Sequence, residues 1–238
     1  GMMRTIRLFP LELGRVLRSR MTWLVILLAV LSPATRLTLY QPAFADTLLA
    51  QDTDEEPAEQ TGFTDVAADA WYADAVAYVS ENGLMSGDGS GSFGVSDPLS
   101  RGMLAQILYN KEGKPAVSAS SPFTDVAADA WYAQAVIWAA DAQIVSGYDG
   151  AYNPDGSITR EQLAVMLYRY MGSPETTGDL SAFSDAGSVS DYAAQAMAWA
   201  VEQGIITGSG NNALNPQGAA TRAEVAVMLT RLAASETA

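Results

Sequence analysis

Cysteine and histidine are both absent from this 238-residue chain. Their absence excludes disulfides, thiol nucleophiles, Cys/His zinc sites and imidazole acid–base chemistry together. It leaves the compartment open, since exported proteins can dispense with cysteine, and it puts the fold's stability on packing. Basic residues are scarce beyond the first 45 positions. That head holds six arginines (Arg4, Arg7, Arg15, Arg18, Arg20, Arg36) against one acid, Glu12. The rest has seven basic and 26 acidic residues, a formal charge of −19. Such a body repels nucleic acid and anionic lipid, with no basic stripe to offset the repulsion. The same acidity keeps an exposed protein soluble.

Long apolar runs are also missing. Trp23–Leu31 falls well short of the roughly 20 residues that span a bilayer. Following an arginine-rich stretch, and ended by Ser32-Pro33 and the small-residue pattern Ala43-Phe44-Ala45, it reads as an export signal over 1–45, cleaved after Ala45. Cleavage would leave no stable membrane anchor, and without a cysteine no lipoprotein forms. Gly1 ahead of Met2 reads as a cloning scar. Residues 46–62, centred on Asp52-Thr53-Asp54-Glu55-Glu56-Pro57, hold too few apolar groups to fold and read as a disordered acidic spacer. Calcium binding there is disfavoured, because the spacing and glycine of an EF-hand loop are missing.

What is present is a repeat. Phe63-Thr64-Asp65-Val66-Ala67-Ala68-Asp69-Ala70-Trp71-Tyr72-Ala73 recurs without change as Phe123 to Ala133, and Phe183-Ser184-Asp185 opens a drifted third copy with one extra residue before Tyr192. A surface presented three times favours a multivalent binder over a single catalytic pocket. The copies divide as 63–121, 122–181 and 182–238. Apolar spacing in each predicts two helices joined by a glycine loop. The first helix is expected to start near Asp69, Asp129 and Asp191, each a plausible cap. Trp71, Ala75, Tyr78 and Val79 then share one face, as do Trp131, Ala135, Trp138 and Ala139, and Tyr192, Ala196, Trp199 and Ala200. That stripe reads as core in preference to a sugar platform.

Gly87, Gly147 and Gly208 open the loops, where glycine serves either a positive-φ turn or close ligand approach. Phe93, Tyr152 and Leu214 then re-enter the core. The second helix opens on a capping box in two copies, Thr159 with Gln162 and Thr221 with Glu224; the first has Ser100 alone, because Met103 occupies the box position. A repeat of about 55 residues is marginal by itself. The expected outcome is an all-α, pseudo-threefold domain over about 63–234, with short linkers after the first and second copies.

One residue fits poorly. Arg101, Arg160 and Arg222 head the second helices, where the helix dipole disfavours a cation. Arg169 and Arg231, nine residues on, sit near C-termini, where a cation is expected. An N-terminal arginine makes sense if an anion shares the site, held by the guanidinium and free N–H groups. That anion is either Asp65, Asp125 or Asp185, paired across the repeat boundary, or a carboxylate or phosphate on an external ligand. Both readings stay open.

These motifs together resemble the S-layer homology domain. The carriers are Phe-Thr-Asp-Val, Trp-Tyr-Ala, the glycine loop, and Ile158-Thr159-Arg160-Glu161-Gln162 with Thr221-Arg222-Ala223-Glu224, similar to that family's Thr-Arg-Ala-Glu signature. The resemblance covers nearly all of 63–234. It implies a three-pronged spindle around a central helical bundle, with grooves between adjacent repeats. It also implies non-covalent binding to secondary cell-wall polymers linked to peptidoglycan, often pyruvylated. Arg101, Arg160 and Arg222 would be the carboxylate ligands. Ser100-Arg101-Gly102-Met103 keeps only the arginine and a hydroxyl, which makes its groove the least expected to work. Replacing Arg160 and Arg222 together is expected to abolish wall binding without unfolding.

The leading expectation is thus a secreted, non-enzymatic cell-surface anchor without a cofactor. A scaffold using the same grooves for a protein partner is the alternative. An enzyme is expected least, since no carboxylate pair stands out from the repeats. Family members usually carry a further domain, so protein cargo is a further expected partner.

Overall fold

The computed structural model describes residues 62–236, all within the unit Pro57–Ala238. The export signal, its cleavage site and, apart from Gly62, the acidic spacer with its calcium reading lie outside the described residues.

Six α-helices and no strand occur among the described residues: α1 (Ala73–Glu81), α2 (Arg101–Lys111), α3 (Ala133–Asp141), α4 (Arg160–Tyr170), α5 (Ala194–Glu202) and α6 (Arg222–Ser235). The all-α expectation holds. The second helices start where their caps predict. Thr159 and Thr221 form complete capping boxes with Gln162 and Glu224. Ser100 accepts only from the Met103 amide.

The first helices start later than expected. Their caps are Tyr72, Tyr132 and Ala193, with no side-chain bond. Asp69 and Asp129 sit inside turns closed by short-range bonds, Ala70 N to Ala67 O and Ala130 N to Ala127 O, with a second such turn following each, while Asp191 begins a single 3₁₀ turn, Asp191–Ala193. This breaks the helical phase that would carry the leading aromatic inward. Trp71, Trp131 and Tyr192 are 68%, 59% and 59% exposed, whereas Ala75, Val79, Ala135, Ala139, Ala196 and Trp199 are buried. Tyr78 and Trp138 are half-buried against that core, so the stripe faces the core except for its first ring.

The two helices of a copy do not make a hairpin with each other. Instead α2 packs on α3, α4 on α5 and α6 back on α1, closing a ring. Tyr109 meets Trp138 at 5.7 Å between centroids, and Tyr168 meets Trp199 at 5.6 Å. Leu104 and Leu108 of α2, Leu163 and Leu167 of α4, and Val225 and Leu229 of α6 are buried. Each such side chain contributes about 1.5–3 kcal/mol, and a lone copy would lack the helix it packs on. The linkers are tied down by Tyr109 and Tyr168 hydroxyls donating to the carbonyls of Pro115 and Pro174.

A hydrogen-bonded triangle joins the copies. Leu99 N–H donates to Ala220 O, Ala220 N–H to Ile158 O, and Ile158 N–H to Leu99 O, each at 2.9 Å. All three residues are fully buried, so these bonds satisfy amides that water cannot reach. They bring the three second-helix N-termini together.

Candidate functional site

Each Phe-Ser/Thr-Asp opening is a clamp on its own loop. The Asp65 carboxylate accepts from the amides of Phe93, Gly94 and Val95, Asp125 from Tyr152 and Asn153, and Asp185 from Leu214 and Asn215. Desolvation raises the Asp65 pKa, but the amides and the Ser92 hydroxyl outweigh it and hold it at about 2. Asp125 and Asp185 are lowered chiefly by the amides of Tyr152 and Leu214.

The glycines do two different jobs. Gly208 has φ of 104°, as a turn requires. Gly87 and Gly147 are outside the left-handed region, and their role is space. A Cβ on Gly87 would lie 2.5 Å from the Phe63 ring, and one on Gly147 2.7 Å from that of Phe123.

The arginine is explained by the next copy in the ring. Its own amide and the one after it are not free. Arg101 and Gly102 donate to Gly156 O and Pro154 O, Arg160 and Glu161 to Gly218 O and Pro216 O, and Arg222 and Ala223 to Asp97 O and Val95 O. The third amide is taken by the cap hydroxyl. Each Nε then donates to the carbonyl of the re-entering residue: Arg101 to Tyr152 at 2.9 Å, Arg160 to Leu214 at 2.7 Å and Arg222 to Phe93 at 2.7 Å. Carbonyl oxygens thus supply negative charge at the cationic helix end.

Of the two readings left open for the anion, the pairing of Asp65, Asp125 or Asp185 with an arginine forms no ion pair among the described residues. Ion pairs among the described residues are Lys111–Glu236 and Arg160–Glu224, and the three aspartates are already satisfied by amides of their own loops.

The three guanidinium groups differ in what they have left to offer. Arg160 is 2% exposed and its Nη1 donates to Glu224 at 2.9 Å. Burial pushes its pKa down while Glu224 and Asp185 oppose the shift; an arginine still stays protonated. Removing it would disturb the interior, contrary to the expectation that the paired substitution spares the fold. Arg222 donates to Ser86 O at 2.6 Å and stacks on Phe93, 4.6 Å from the centroid. Arg101 stacks likewise on Tyr152, also at 4.6 Å, but its second bond, to Ser146 O, is 3.4 Å long.

A groove opens beside each arginine. The largest, about 620 Å³, is lined by Arg101, Ser146, Tyr148, Gln162, Arg169 and Tyr192, and has no carboxylate among its lining residues. The Arg160 groove, about 370 Å³, holds Trp71, Glu224 and Arg231. The Arg222 groove, about 390 Å³, holds Asp88, Asp97, Asn110 and Trp131. Gly147, Gly208 and Gly87 line the three in turn, so each groove draws on all three copies.

Arg169, Arg231 and the leading aromatics were not marked as site residues by sequence. Their signal is an arginine nine residues after the motif arginine, broken in the first copy by Asn110. Among the described residues no group of three or more acidic side chains is placed to hold a metal. No helix there is long and apolar enough to cross a membrane.

The model of the S-layer homology domain matches residues 62–102, 122–164 and 182–226. Relatives include the Surface-layer 125 kDa protein of Lysinibacillus sphaericus, 33% identical over 66% of this chain and 14% of that protein. An Amylopullulanase of Thermoanaerobacterium thermosulfurigenes is 30% identical over 70% of this chain and 9% of its own length. The Exoglucanase XynX of Acetivibrio thermocellus is 31% identical, with 70% and 16% covered. The chain therefore matches only a small part of each relative.

Proposed function

Because the chain belongs to the S-layer homology domain family, we propose that it is a secreted cell-surface anchoring module. It holds an anionic, pyruvyl-bearing wall polysaccharide non-covalently in grooves between its repeats. The observation that carries this reading is the Arg101 groove. Two guanidinium groups face a 620 Å³ space whose lining includes no carboxylate, although the chain beyond residue 45 is strongly acidic. A guanidinium fork matches a carboxylate with two donors, and exposed Tyr148 and Tyr192 offer flat faces to a sugar ring. Repulsion between the acidic body and the polymer is screened beyond about 8 Å at physiological salt, so affinity comes from these close contacts. Relatives named as a surface-layer protein, an amylopullulanase and an exoglucanase share this stretch, which supports an anchoring role separable from catalysis. Export by the 1–45 signal and repeats at 63–121, 122–181 and 182–238 complete the proposal.

The test is a pull-down with purified walls of the producing bacterium, before and after chemical removal of the pyruvyl ketal. Binding should fall sharply after removal; equal binding to treated and untreated walls would sink the reading. Exposed Trp71 and Trp131 favour a rival reading, a protein partner in the same grooves. Binding that survives stripping of the polymer but is lost when the walls are treated with protease would select it.

A further inference from the structure

We propose that the third residue of α4 and of α6 decides which grooves accept an anion, so that this chain has one strong anion site, at Arg101, and not three. The inference rests on the wall-polymer reading above.

Gln162 and Glu224 occupy equivalent places and do the same local job. Gln162 Oε1 accepts from the Thr159 amide at 3.2 Å, and Glu224 Oε2 from the Thr221 amide at 2.9 Å. They differ at the other end of the side chain. Glu224 Oε1 accepts from Arg160 Nη1, so that cation is paired inside the protein, and an entering carboxylate meets another carboxylate. In the neighbouring groove the facing residue is the neutral Gln162, and among the described residues Arg101 bonds only to the carbonyls of Tyr152 and Ser146.

A second cation reinforces the difference. Arg169 Nη1 donates to the Ser146 hydroxyl at 3.2 Å, so Arg101 and Arg169 both reach Ser146 from within one groove. Glu224 offsets one of the two arginines in the Arg160 groove. The Arg222 groove has Met103 at the third helix position and Asn110 in place of the second arginine, and is lined by Asp88 and Asp97. The Ser90 hydroxyl most, and then the amides of Ser90 and Ser92, lower the Asp88 pKa, which keeps it ionised. By charge the grooves run from cationic at Arg101, through a partly neutralised pair at Arg160, to acidic at Arg222. The chemical class this assigns to the Arg101 groove is a sugar bearing one carboxylate.

Isothermal titration of the full chain with a pyruvyl-ketal hexoside, and with the neutral parent hexoside, reads the number of sites. One site per chain, seen only with the ketal, is expected. Gln162→Glu should weaken it tenfold or more while leaving the melting temperature intact, because Thr221 and Glu224 show that glutamate completes the same capping box. Arg169→Asn, which copies Asn110 and leaves the cap untouched, should weaken it similarly. Three equal sites, or affinity unchanged in both variants, would overturn this inference and leave the wall reading standing. Failure of the wild-type chain to bind either the ketal or untreated walls would overturn both.

Discussion

The groove at Arg101 and the groove at Arg160 are built alike and are not equivalent. In both, a helix-leading arginine sends Nε to a carbonyl of the following copy, and two adjacent amides bind that copy's backbone. One arginine is partly exposed with a weak second bond; the other is buried against a glutamate. The contrast separates two roles of a single motif residue. Its Nε and its place at the helix start lock consecutive copies together, whereas its outer nitrogens are open to a ligand only where the fold leaves them unpaired. The copy that departs most from the family signature therefore has the most available arginine, the reverse of what the sequence resemblance implies.

Stability should separate the two most strongly. Arg160→Ala leaves Glu224 without its partner and Leu214 O without its donor, at a cost of about 3 kcal/mol. Arg101→Ala removes a carbonyl bond and a ring contact, at about 1–2 kcal/mol. Urea denaturation of the full chain checks this, and equal losses would break the comparison.

Acid should act on all the loops together. Asp65 is depressed to about 2, and Asp125 and Asp185 are lowered in the same direction. A carboxylate depressed on folding contributes stability that is complete above its unfolded pKa of about 3.9 and is lost as pH falls through the folded value. Thermal melts should therefore hold until about pH 4 and decline towards pH 2. Asp125→Asn should flatten part of that decline, and an unchanged profile would remove the clamp from the account.

The caps provide the finer tests. Thr159→Ala should cost about 1 kcal/mol, seen as a lower denaturation midpoint. Met103→Gln, which offers α2 the box that α4 already has, should raise stability by a few tenths to about 1 kcal/mol. A loss from Met103→Gln would show that the methionine is needed against the core it packs on.

Local chemistry was readable in the sequence, and ring closure was not. Thr159 with Gln162, Thr221 with Glu224 and Ser100 alone could be read because a cap is decided within four residues. Helix number and the buried faces followed from periodicity. The exposure of Trp71, Trp131 and Tyr192 could not be read, because successive turns delay the helix start by several residues and shift its phase. The partners of Arg101, Arg160 and Arg222 lie 51, 54 and 129 residues away, and each is a backbone carbonyl with no side-chain signature. Only the folded ring reveals that Arg169 stands beside Arg101 while Asn110 stands beside Arg222.

The central claim is that the Arg101 groove anchors the chain to a wall polymer. Co-sedimentation with purified walls, comparing the wild-type chain with an Arg101→Gln, Arg169→Gln double variant shown to be folded by circular dichroism, tests it most directly. The account predicts that the wild type pellets with the walls and the double variant stays in the supernatant. Equal pelleting of the two would contradict it.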